Sequence, residues 1–147
     1  MQEPTKINDF LSVAGQIELG DIAALAAQGY GTIINNRPDN EEPGQLDHRI
    51  AEAEAKKQGL DYRYLPVVSA AITIREVSEF QNAILRGAKP ILAHCRSGTR
   101  CYLLWGATRA LCEGASPLKL VAEAAAKGYD LRALPSLVEK LEAEKAK

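Results

Sequence analysis

At 147 residues and 15.9 kDa the chain has room for one compact core, so one domain over residues 1–147 is expected. Its 18 Lys and Arg against 19 Asp and Glu give a net charge of −1, without the positive field that nucleic acids and anionic membranes attract. With 46% hydrophobic residues, 25% charged residues and no apolar run near the ~18 residues of a membrane span, the chain reads as soluble and globular, with no nucleic-acid or membrane partner.

The segment Met1 to Lys6 lacks the basic and then apolar pattern of a secretory leader, so a cytoplasmic location is expected. Ile7 to Ala14 reads as a strand. Asp21 can cap a short helix with Ile22, Leu25 and Ala26 on one face, and Gly29 can end it. Thr32 to Asn35 is a β-branched strand, and Asn36 to Gly44, with two prolines and no periodicity, is a loop leaving its C-terminal end. Gln45 to Gln58 is a helix stopped by Gly59, and Tyr62 to Val68 is a strand interrupted by Pro66. Thr73 to Arg86 is a helix in which Thr73 and Glu76 fit a capping box. Pro90 to His94 is a short apolar run of the buried parallel kind, and helical spacing resumes from Arg100 to Leu111. Ser116-Pro117 opens a helix ending at Gly128, and Pro135 opens a last one with Leu137, Val138 and Leu141 inward. The expected class is α/β, a mainly parallel sheet of four to five short strands flanked by helices, with a helical C-terminus.

Between the strand ending at His94 and the helix that follows lies Cys95-Arg96-Ser97-Gly98-Thr99-Arg100. A strand-to-helix turn directs successive N–H groups inward at the positive end of a helix dipole, so it binds an anion. The same donors favour a thiolate, and Cys95 is expected to titrate below the ~8.5 of a free thiol and act as a nucleophile. Arg96, Ser97, Gly98, Thr99 and Arg100 are the candidate phosphate-binding residues, Arg100 presenting its planar fork to two oxygens. The bland alternative is a buried structural cysteine flanked by solvated arginines. His94 reads as a buried support of the loop, because the pleat points it away from the anion.

His94-Cys95 followed by Arg100 resembles the signature loop of the cysteine-dependent tyrosine and dual-specificity phosphatases, with four residues between Cys and Arg where those enzymes have five. With Ile33 to Asp39 and Gly59 to Val67, the chain is more specifically similar to the small bacterial phosphatase-like family found in beta-lactamase hydrolase-like proteins. That resemblance implies a phosphatase-type fold and phosphomonoesterase activity, Cys95 forming a phosphocysteine and Arg100 holding the phosphoryl group. The substrate class would be a phosphorylated small molecule or a phosphoprotein, with no cofactor and no metal. Rhodaneses also begin a six-residue loop with Cys, which leaves a sulfurtransferase or persulfide carrier as an alternative. A non-catalytic anion-binding or thiol-sensing module is another.

The phosphatases place an acidic aspartate where this chain reads Pro66-Val67-Val68-Ser69-Ala70-Ala71. Asp39 is the replacement candidate for general acid, Glu41 and Glu42 weaker ones, and an Asx turn or a pairing of Asp39 with Arg37 the competing reading. A slow enzyme is expected. Cys101 stands where those enzymes carry Ser or Thr, supporting the loop and placing a second sulfur near Cys95, close enough for a reversible disulfide if the Cα atoms lie within ~7 Å. Cys112 reads as core packing, His48 as a solvated helix residue, and Tyr62 and Tyr64 as packing that could border the pocket.

Overall fold

The computed structural model describes residues 3–146, so Met1, Gln2 and Lys147 lie outside the described residues. Two short strands, β1 (Thr5–Lys6) and β2 (Leu11–Ala14), form an antiparallel hairpin where one strand was expected. Asn8 turns the chain between them by accepting the N–H groups of Phe10 and Leu11 on its side-chain oxygen, at 3.0 and 2.9 Å. The helix α1 (Leu19–Ala27) follows, then β3 (Thr32–Asn35), α2 (His48–Lys57), β4 (Asp61–Tyr64) and a short 3-10 turn (Ser69–Ala71). The remainder is α3 (Ile74–Arg86), β5 (Ile91–His94), α4 (Thr99–Glu113), α5 (Pro117–Ala126) and α6 (Leu134–Lys145).

The sheet order is β1-β2-β5-β3-β4, parallel throughout except at β1. Residues of β2, β3 and β5 are buried on both faces, as their unbroken apolar reading requires. Alternation then sorts the side chains: Ile33, Leu92 and Ala14 pack with Ile22, Leu25, Ala51 and Ala55 of α1 and α2. Leu11, Val13, Ile34, Ile91 and Ala93 face the layer of α3 to α6, through Phe80, Ile84 and Leu104. Each fully buried valine, leucine, isoleucine or phenylalanine among them contributes about 1.5–3 kcal/mol of transfer free energy.

Several local expectations are corrected. Glu18, not Asp21, is the N-cap of α1; Asp21 sits three residues in and accepts the Glu18 N–H on its carboxylate at 2.7 Å, completing a capping box. At α3 the Thr73 hydroxyl donates to the Glu76 carboxylate and does not cap the backbone. Cys112 is exposed, because the last turn of α4 runs past the layer that buries Cys101. Among the described residues no helix is long and apolar enough to cross a membrane.

The register matters most for function. Ala14, His94, Asn35 and Tyr64 are aligned partners across β2, β5, β3 and β4. The loops that follow these four residues therefore leave one edge of the sheet together, the carboxyl edge where ligands of parallel sheets gather.

Candidate active site

The loop between β5 and α4 carries Cys95 at its start and Arg100 in the first turn of the helix. It closes so tightly because Gly98 adopts φ +93, a left-handed conformation in which a side chain would be strained. A Cβ there would also lie 2.9 Å from the Tyr129 hydroxyl. Across the edge, Gly15 admits the Arg96 carbonyl, which a Cβ would meet at 2.9 Å, and the Gln16 N–H donates to that carbonyl at 3.1 Å.

The Gly98 N–H donates to the Cys95 sulfur at 3.1 Å. The Cys95 thiol is pulled down from 9.0 to about 6, chiefly by the Cys101 thiol donating to it; burial opposes this, and the amides of Cys101, Gly98 and Ser97 reinforce it. Cys101 is fully buried, and its own thiol is pushed up by burial and by the neighbouring Cys95. Both sulfurs are free thiols. At neutral pH a thiol of this acidity is about nine-tenths ionised. With 1% of its surface exposed, Cys95 meets a substrate only where an atom enters its loop.

Arg100 is 13% exposed. Its Nη1 donates to the Val67 carbonyl at 2.9 Å and to the Asn36 carbonyl at 3.4 Å. The end of the guanidinium spans Glu41, with Nη1 to Oε2 at 3.1 Å and Nη2 to Oε1 at 3.2 Å. Its Nε is buried and has no hydrogen-bond partner among the described residues. The guanidinium therefore keeps its side-on edge, Nε with one hydrogen of Nη2, for another acceptor. Arg96 and Ser97 are exposed, and Thr99 and Arg100 are half-buried.

His94 is buried, 1% exposed, with neither ring nitrogen in hydrogen-bond geometry. Burial holds its imidazole neutral, down to about 4; a contact with the Cys95 main chain opposes this, and the charge of Arg37 adds to it. It lies within the sheet, next to the loop it precedes.

Asp39 is placed differently from a free carboxylate. One oxygen accepts the His48 N–H at 3.0 Å and the other contacts His48 Nδ1, while its own N–H donates to the Tyr64 hydroxyl at 3.0 Å. His48 is accordingly not a solvated residue: it is stacked on Tyr64 with ring centroids 3.7 Å apart. Tyr62 accepts from the Asn35 side chain at 3.0 Å, and burial pushes its phenol up. Asp39, Asp47 and His48 approach within 4.8 Å, but these hydrogen bonds, with Asp47 capping α2 through Arg49 N–H, account for the cluster without an ion.

Sequence reasoning did not find the roles of Arg37 and Gln16. Arg37 is 1% exposed, and its guanidinium reaches Glu41 at 2.8 Å, Glu42 at 3.3 Å and the Gln16 side chain at 3.0 Å. Its pairing is thus with the two glutamates and not with Asp39. The available signal was position: an arginine two residues beyond a buried strand, at the edge where loops converge.

A mainly parallel sheet whose carboxyl edge carries a buried cysteine in a strand-to-helix loop, with an arginine in the first turn of the helix that follows, fits a protein tyrosine phosphatase-like fold. The chain matches the family model of the beta-lactamase hydrolase-like protein, phosphatase-like domain, over residues 5–112, and it belongs to that family. The Beta-lactamase hydrolase-like protein of Agrobacterium fabrum is 40% identical over 100 residues, covering 68% of this chain and 23% of the relative. That of Xylella fastidiosa strain Temecula1 is 35% identical over 125 residues, covering 85% and 29%. The chain thus spans less than a third of the length of these relatives.

Among solved structures, a phosphatase candidate from Neisseria meningitidis Z2491 is 33% identical with a TM-score of 0.82, covering 92% of this chain and 96% of that one. Tk-PTP in its active form has a TM-score of 0.69 at 18% identity, with 95% of each chain covered. PTPMT1 in complex with PI(5)P has 0.69 at 14%, covering 97% and 98%. The last two share the fold.

Proposed function

We propose that this chain is a metal-independent phosphomonoesterase in which Cys95 is the nucleophile and Arg100 the phosphate clamp. The observation that carries the reading is a buried thiol that accepts the Gly98 N–H and is pulled down to about 6, beside an arginine whose buried Nε has no hydrogen-bond partner among the described residues. The Cys95 thiolate attacks phosphorus in line, forming the S–P bond as the P–O bond to the leaving group breaks. The amides of Arg96 to Thr99 and the side-on edge of Arg100 take the equatorial oxygens, where charge develops. Water then attacks the phosphocysteine, giving up a proton, and inorganic phosphate leaves as the thiolate is restored. His94 supports the loop as a neutral group, and the Cys101 thiol stabilises Cys95 as it departs. The substrate is a phosphorylated small molecule or protein side chain, and the acid that would protonate its leaving oxygen is the least provided-for part, with Asp39 as candidate.

A second reading is favoured by the four-residue spacing between Cys95 and Arg100, which is that of a rhodanese loop. There the thiolate attacks the outer sulfur of thiosulfate, the S–S bond breaks, and sulfite departs without needing a proton. Cys95 is left as a persulfide, and cyanide removes its outer sulfur as thiocyanate. Parallel assays of aryl phosphate hydrolysis and thiocyanate formation under reducing conditions separate the two. Phosphate release dependent on Cys95 supports the first. Thiocyanate release alone, with a mass gain of one sulfur atom on Cys95, replaces it by the second.

In either chemistry the thiolate must form, so Cys101 sets the pH profile. Cys101→Ala removes the largest contributor to the low Cys95 value. The acid limb of kcat/KM and of alkylation should move from near pH 6 upward by about one pH unit, one charge-assisted hydrogen bond being worth that much. The sign follows from the donor favouring the charged form. Cys101→Ser restores a donor and should return the limb; an unmoved limb in the alanine variant assigns the low value to the backbone amides.

A further inference from the structure

One charge at the candidate site is fully buried and held by side chains of its neighbours. Arg37 is 1% exposed, and a buried guanidinium is tolerated only when its donors are paired. Three side chains pair it: Gln16 from the loop after β2, and Glu41 and Glu42 from its own loop. Glu41 is common to both arginines. Its Oε1 accepts from Arg37 Nε at 2.8 Å and from Arg100 Nη2 at 3.2 Å, and its Oε2 accepts from Arg100 Nη1 at 3.1 Å. Burial alone would raise this carboxyl, but the hydrogen bonds from Arg37 and then Arg100 overcome it and hold Glu41 below 4.5. The segment around it is fastened as well: the Gln45 side chain accepts the Glu41 N–H at 3.2 Å and donates to the Pro38 carbonyl at 2.9 Å.

We propose that Glu41, anchored from behind by Arg37, is the positioning residue that turns the side-on edge of Arg100 toward the anion at Cys95. The inference rests on the reading of Cys95 and Arg100 given above and adds a residue to it. A guanidinium offers two forks, an end-on pair (Nη1 and Nη2) and a side-on pair (Nε and Nη2). Glu41 takes the end-on pair, the Val67 and Asn36 carbonyls take the rest of Nη1, and Nε is the buried donor without a partner among the described residues. Both ends of the device precede α2 in sequence, while Arg100 lies on α4. Glu41 therefore couples the loop after β3 to the loop after β5. A carboxylate in this place could instead compete with the substrate for Arg100, and the two roles predict opposite changes.

The test compares two alkylating reagents of similar size, one anionic and one neutral, at Cys95. An arginine presenting its open edge to the loop accelerates iodoacetate relative to iodoacetamide. In a background with the exposed Cys112 changed to serine, and with the modified residue assigned by peptide mass, the rate ratio is measured for the parent protein, Glu41→Gln and Glu41→Ala. The ratio is expected to fall about fivefold in both variants, with inorganic phosphate protecting Cys95 correspondingly more weakly. Glu41→Gln keeps the volume and one acceptor, and thermal unfolding confirms that the variant compared is folded. An unchanged ratio, or one that rises on removal of Glu41, overturns the positioning role. If the parent protein shows neither iodoacetate preference nor phosphate protection, the anion-site reading fails along with it; a preference that survives both substitutions overturns the Glu41 inference alone.

Discussion

Cys95→Ser should lower aryl phosphate turnover by at least about a thousandfold while changing the affinity for inorganic phosphate by less than about threefold. The two measurements separate because the loop treats sulfur and oxygen differently. Its donors pull the Cys95 thiol down from 9.0 to about 6, which favours the thiolate at neutral pH. The same donors cannot ionise a serine hydroxyl, which starts several units higher. Anion binding depends on other groups, the loop amides and the side-on edge of Arg100, and neither is altered by exchanging one small buried side chain for another. Steady-state kinetics and calorimetric titration with phosphate check the two halves. Turnover within tenfold of the parent protein would remove Cys95 from the mechanism. Equal loss of turnover and of phosphate affinity would place its role in shaping the loop.

The strand–loop–helix carrying Cys95 was legible because each of its parts has a local signature. β3 occupies Thr32–Asn35 as expected, since a β-branched run bounded by Gly31 and the Asn36-Arg37-Pro38 turn leaves one way to read it. The buried strand before Cys95 and the helix after it are equally local. β1 was not legible, because Thr5–Lys6 is two residues long and exists only by pairing with β2. His48 looked solvated because helical spacing says nothing of Tyr64 and Asp39 arriving from other segments. Cys112 shares a helix face with Cys101, eleven residues earlier, yet is exposed; periodicity gives the face and not where the neighbouring layer stops. The Arg37–Glu41–Arg100 connection spans 59 residues between Glu41 and Arg100, and no local rule reaches across that separation. Cys95 and Arg100, proposed as nucleophile and clamp, are therefore written in one short string, whereas the contacts that hold Arg100 are written in the topology.

Rates of hydrolysis are expected to fall steeply as the leaving group becomes more basic, by about tenfold for each unit of its pKa across a series of substituted phenyl phosphates. An enzyme that protonates the leaving oxygen flattens this dependence, so the slope reports whether an acid is present. The three carboxylates considered for this task, on the loop after β3, are committed elsewhere. The two oxygens of Asp39 face the His48 N–H and ring, Glu41 is held ionised between two arginines, and Glu42 is paired with Arg37 at 3.3 Å. The segment from Pro66 to Ala71, where the resemblance leads one to expect an aspartate, contains no carboxylate. On this arrangement the leaving oxygen is expected to depart as a stable anion, which favours electron-poor phenols over alkyl alcohols by several powers of ten. Asp39→Asn, measured on the same series, makes the assignment at the level of one residue. With a steep slope in both proteins, Asp39 acts through His48 and Tyr64 on the shape of the loop. A shallow slope in the parent protein that becomes steep in Asp39→Asn would mean that its carboxyl turns away from His48 during the reaction and delivers the proton, and the acid-free account of this site would be wrong.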